Sequence, residues 1–141
     1  ISLIFKEVSK DELPAVIEAL VVALKQREVR FPALRAISAL GPKASGAMKA
    51  IKEHLKAKDP MVRCATLLAL ESIGPDAVDA LASGLEDPFL MNTALAAECL
   101  ARMGPDAASA LPALKAASQS PKEAVRNKIL SSIEKIRQGE N

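Results

Sequence analysis

The chain has no tryptophan and no tyrosine, and its only phenylalanines are Phe5, Phe31 and Phe89. Strands favour aromatic and β-branched residues, so this scarcity argues against a β-sandwich or barrel. Histidine occurs once, at His54, and cysteine twice, at Cys64 and Cys99. That supply cannot build a multi-residue His or Cys metal site or a two-histidine relay, and it is no disulfide framework. The longest apolar candidate, Ala15 to Leu24, is interrupted by Glu18 and falls short of the roughly 18 residues a membrane span needs. No secretory signal pattern is present. The six glycines are helix stops or lie singly, so there is no Gly-rich phosphate loop; a Gly-x-Ser-x-Gly elbow is also missing. The net charge of +2 is too small to imply a polyanionic partner from the total alone.

What is present is alanine and leucine, 26 and 18 of the 141 residues. These are the two best helix formers. The length suits one domain with a core of its own. The 26% charged fraction argues against disorder. The chain begins at Ile1 rather than Met, and residues 1–10 read as the tail of a preceding helix, so the expectation is a piece of a longer protein. The compartment stays open: cytoplasmic if the chain is complete, periplasmic or secreted if it is the tail of an exported enzyme.

The sequence repeats itself, and the repeat decides the fold. Gly-Pro occurs at Gly41-Pro42, Gly74-Pro75 and Gly104-Pro105, spaced 33 and 30 residues apart. Between these fall Asp59-Pro60, Asp87-Pro88 and Ser120-Pro121. Val-Arg recurs at Val29-Arg30, Val62-Arg63 and Val125-Arg126, with Asn92-Thr93 in the same place of the third copy. Glycine after a helix takes positive φ at low cost, and proline cannot continue the helix. Asp-Pro and Ser-Pro read as an N-cap followed by a first helical residue, and Ser120 to Glu123 reads as a capping box. In the second copy Val62, Ala65, Ala69 and Ile73 share a face, with Leu67 and Leu70 beside it.

This pattern predicts four helix pairs. First helices are expected over about 12–26, 43–57, 76–86 and 107–118, and second helices over about 29–40, 60–73, 88–103 and 121–137. The pairs occupy about 11–42, 43–75, 76–105 and 106–137, with 138–141 a frayed terminus. One pair cannot bury its own apolar face, so the expected fold is all-α, an α-solenoid whose pairs stack into a right-handed superhelix. Its amino-terminal end, with Leu3, Ile4, Phe5 and then Leu13, Val16, Ile17 and Leu20, is expected to dimerise or to dock on an upstream domain. Its last helix has the polar outer face of a cap, from Lys122, Arg126, Lys128, Lys135 and Arg137.

The segment Asp59-Pro-Met-Val-Arg-Cys-Ala-Thr-Leu-Leu-Ala-Leu-Glu-Ser-Ile-Gly-Pro75 resembles the second helix of a HEAT-like repeat, of the short type described in phycobilisome lyases. The resemblance covers about residues 11–137. It implies a bacterial armadillo-like scaffold that binds proteins without catalysis. It leaves two alternatives: an accessory domain carboxyl-terminal to an enzyme such as a sulfatase, or a lyase-like chaperone for a tetrapyrrole-carrying protein. It also implies that the helix-opening Asp and the Arg after Val form a ladder between neighbouring repeats. That carries over to Asp59 with Arg63, and to Arg30 and Arg126, and breaks at Thr93.

Candidate sites are sparse, and no catalytic residue, cofactor or metal ligand is assigned. His54 reads as a solvated side chain on a polar face. Cys64 and Cys99, five positions apart in the repeat frame, read as small core thiols rather than a disulfide. Outward columns of the second helices give a candidate concave partner-binding surface of Arg35, Leu68, Glu71, Glu98, Arg102 and Lys135, with Ser131 in the same frame. Its mixed character fits a protein partner, bound weakly because only Arg35 and Arg102 are of the residue types that dominate interfaces. Charge is segregated: residues 43–63 carry net +4, 64–114 net −6 and 115–141 net +3. Lys49, Lys52 and Lys56, three and four apart, form a candidate patch for an anionic partner. Nucleic acid is disfavoured, because stacking aromatics are few and the acidic middle repels phosphate.

Overall fold

Two of the second helices, those over 60–73 and 90–103, are bracketed on both sides by the punctuation that the repeat supplies. The computed structural model describes residues 7–139, and all regular structure among them is helical. In chain order the α-helices are α1 (Leu13–Leu24), α2 (Arg30–Leu40), α3 (Met48–Lys52), α4 (Pro60–Ile73), α5 (Val78–Ser83), α6 (Leu90–Met103), α7 (Leu111–Ala117) and α8 (Glu123–Gly139). They fall into two compact units divided after Gly74. Leu3, Ile4 and Phe5 lie outside the described residues, as do Glu140 and Asn141.

The starts and stops follow from side-chain chemistry. The Asp59 carboxylate accepts the amide of Met61 at 2.8 Å, so α4 starts at Pro60, whose missing N–H costs nothing there. The Asp87 carboxylate accepts the amide of Phe89 at 2.8 Å, and α6 starts at Leu90, two residues later than the sequence suggests. Ser120 Oγ accepts the amide of Lys122 at 3.3 Å. The expected reciprocal box with Glu123 is instead made at the head of α1. There Ser9 N donates to Glu12 Oε2 at 3.2 Å, and Glu12 N donates to Ser9 Oγ at 3.3 Å. The stops are Gly41, Gly74 and Gly104, with φ of 62°, 107° and 61°. Their ψ values of −135° and −155° lie in a region essentially reserved for glycine, not in the left-handed helical well. Gly139, the last described residue of α8, lies where a Cβ would be 2.6 Å from the Pro105 ring, so the close approach of helix and proline requires glycine. The helix thus covers Gln138 and Gly139, which the sequence reading left to a frayed end.

The first helices of pairs two to four are not the continuous α-helices expected. Residues Gly41–Ala47 form a 3-10 helix, α3 is five residues long, and Glu53–Lys56 return to 3-10. Pair three runs through Pro75–Ala77, α5 and Gly84–Glu86 in the same way, and pair four through Gly104–Ala110 and α7. The Gly-Pro starts at Gly41 and Gly104 bring no side-chain cap. Their orphan amides are met by tighter i→i+3 bonds. In pair four Pro112 also lacks the N–H that would bond to Ala108.

In the first unit α2 packs on α4, and Leu24, Leu34, Ile37, Ile51, Leu67 and Leu70 are fully buried. In the second α6 packs on α8 over fully buried Leu81, Leu100, Leu114, Ile129 and Ile136. Along α4 the expected face holds for Val62, Ala69 and Ile73, while Ala65 is half-buried. Among the described residues, no helix is long and apolar enough to cross a membrane.

Candidate functional site

A single joint recurs in all four pairs. Arg30 Nε donates to the carbonyl of Leu24 at 3.2 Å, Arg63 Nη1 to that of Ala57 at 2.7 Å, and Arg126 Nη1 to that of Ser120 at 3.1 Å. In the third pair Thr93 Oγ1 donates to the carbonyl of Asp87 at 2.8 Å. Each donor reaches back six residues, from the head of the second helix to the carbonyl where the first helix has ended. Carbonyls at a helix end have no partner within the helix, and this residue supplies one. The resemblance placed these arginines between neighbouring repeats; the backbone bonds they make close inside their own pair. Thr93 does not break the pattern. It makes the same bond with a shorter side chain, and Asn92, buried beside it, donates to the Asp87 carboxylate at 3.3 Å.

His54 belongs to this joint rather than to solvent. Its Nε2 lies 2.9 Å from the Leu24 carbonyl and its Nδ1 lies 3.0 Å from that of Ala50. Arg30 and His54 therefore converge on one oxygen, which has two lone pairs to offer. His54 is half-buried. Cys64 and Cys99 are free thiols, the first half-buried and the second buried. Burial pushes the Cys64 thiol above its usual range, which disfavours the thiolate that a nucleophile needs. Among the described residues, no group of three or more His, Cys, Asp or Glu is placed to hold a metal.

In the second unit the outward columns converge. Glu98, Arg102, Lys128, Ser131 and Lys135 line one groove of about 350 Å³ between α6 and α8. Lys128 Nζ and Glu98 Oε1 are 3.2 Å apart across it, with side chains 43% and 44% exposed. An ion pair this open contributes about 0–1 kcal/mol, so it can exchange for a partner's charges. Arg102 Nη2 approaches Cys99 Sγ at 3.5 Å from the groove wall. Lys128, which the sequence assigned to the capping face, is thus also a groove residue. Arg126, from the same set, is half-buried because its guanidinium serves the joint.

The remaining surface candidates lie in the first unit. Arg35 and Leu68 are exposed, and Glu71 is half-buried. Lys49, Lys52 and Lys56 are all exposed. The chain changes from α to 3-10 at Glu53, between Lys52 and Lys56. Lys56 instead lines a cleft of about 670 Å³ with Lys58, Lys25 and Arg27, over Arg30 and His54. Sequence reasoning missed this cleft; the excess of charge in residues 43–63 was its one signal. No family model matches the chain, and no curated protein matches it with significant similarity.

Proposed function

We propose that the chain is a non-catalytic protein-interaction or assembly scaffold, built as a HEAT-like α-solenoid whose second helices present the binding surface. The observation that carries this reading is the groove in the second unit, where Glu98, Arg102, Ser131 and Lys135 meet. These residues come from columns one repeat apart in sequence, so a periodic chain yields a shared surface. The recurrence of one joint in every pair supports the reading of the pairs as equivalent repeats, which a solenoid requires. The groove offers cations, one carboxylate and hydroxyls within a small area, which suits a protein patch of alternating polarity.

Site-specific photo-crosslinking tests this. A benzoylphenylalanine at Ser131, in the groove, should give a discrete heteromeric adduct that excess unlabelled chain competes away. The same group at Ser109, exposed and outside the groove lining, should give none. Equal adducts from both positions, or none from Ser131, would contradict the assignment.

A further inference from the structure

We infer that the cleft of the first unit is a docking site for an acidic peptide segment; this rests on the scaffold reading and names the chemistry of one partner. The cleft holds about 670 Å³ and is formed where two second helices begin, beside the turn after α1 and the segment after α3. Lys25, Arg27, Lys56 and Lys58 stand on it, all exposed. Among the described residues, none of these four has an ion-pair or hydrogen-bond partner for its charged head. The two basic side chains beneath them are differently engaged. Arg30 and His54 both direct a ring or guanidinium nitrogen at the Leu24 carbonyl, so the floor is held by the joint while the upper charges stay available.

The choice of peptide over nucleic acid follows from the rest of the lining. Glu53 and Asp59 also face the cleft. Carboxylates repel a continuous phosphodiester, which has no backbone N–H to offer them, whereas a peptide brings amide donors along with its acidic side chains. Phe31 is 39% exposed on the same wall. A lone phenylalanine serves an aliphatic or aromatic side chain between two acidic ones, while single-stranded nucleic acid uses several stacking platforms. Four cations drawn from two segments 31 residues apart in sequence match an extended chain, which advances about 3.3 Å per residue, better than a single compact anion.

Fluorescence anisotropy on the full chain tests the assignment. The probes are a labelled dodecapeptide of alternating Glu and Ala, its Gln-Ala counterpart, and an oligothymidylate. The glutamate peptide should bind saturably and weaken with salt as the Debye length shrinks below about 8 Å; the glutamine peptide should not bind. Lys56→Glu with Lys58→Glu should weaken binding at least about tenfold, because each reversal turns an attraction into a repulsion. Lys115→Glu with Lys122→Glu, exposed in the second unit, makes the same change in net charge and should alter binding less than about threefold. Equal ellipticity of the variants checks their folding. Arg27→Glu, in the turn between α1 and α2, repeats the test outside any helix. Equal loss in both pairs, stronger binding of the oligothymidylate, or no saturable binding would each overturn the proposal. If the peptide fails while the Ser131 adduct persists, the acidic partner is wrong and the scaffold stands; if both fail, the scaffold reading falls too.

Discussion

Gly74→Ala should destabilise the fold by about 1–3 kcal/mol although it adds a methyl group to open space. Gly74 has φ of 107° and ψ of −155°, and a Cβ built on it would meet nothing within 4 Å. No clash is involved, so the cost is torsional. An L-residue there is forced into backbone space that only glycine occupies readily. Gly74→Asn should be no better than alanine. Asparagine tolerates the left-handed helical well near ψ of about +45°, which is not where this residue sits. Gly104→Ala should behave alike, since it has φ of 61° and equally open surroundings. At 2–4 °C per kcal/mol the melting temperature should fall by roughly 2–12 °C. Lys115→Ala, at an exposed helical position, should stay within about 0.5 kcal/mol of the wild type. A Gly74→Ala melt matching Lys115→Ala would mean that the stop does not depend on glycine.

Arg63→Met should cost about 1.5–3 kcal/mol, the range for a hydrogen bond from a charged donor. The guanidinium Nη1 donates to Ala57 at 2.7 Å and to Lys58 at 3.1 Å, both past the end of the first helix. Methionine keeps the apolar stem and removes both bonds, so packing is largely held while two carbonyls lose a donor. The loss should appear first as faster hydrogen exchange at the Ala57 amide, which bonds to His54 at 3.2 Å in the turn that Arg63 holds. Unchanged melting together with unchanged exchange at Ala57 would show that the joint carries no stability.

The second helices were legible to within a residue or two of their observed ends because their signals are strong. Asp59-Pro60 opens α4 and Gly74 closes it, and Arg30–Leu40 is closed in the same way by Gly41. The first helices of pairs two to four were not, because alternation between 3-10 and α over short stretches leaves no periodicity to read. Equivalent positions in the repeat frame did bring Glu98, Arg102, Ser131 and Lys135 together, since one frame register means one helix face. The cleft escaped that logic. Its cations Lys25, Arg27, Lys56 and Lys58 sit at helix ends and connections, where the frame carries no face. His54 was misread for a related reason: its Leu24 partner is a backbone carbonyl thirty residues away, which no side-chain pattern marks.

Repetition itself is open to the most direct test. Residues 42–74 can be duplicated after Gly74, once and then twice, with every Gly-Pro junction kept. If the pairs stack as equivalent units, each insertion should give a cooperatively folded monomer. Ellipticity should rise in proportion to length, and small-angle scattering should show the maximum dimension growing by about 10 Å per pair, one helix-packing distance. A closed bundle would grow only as roughly the 0.38 power of chain length, a few ångströms in all, or would fail to fold around the added pair. Linear growth in steps of about 10 Å is the predicted result, and compact growth or loss of cooperative folding would contradict the account.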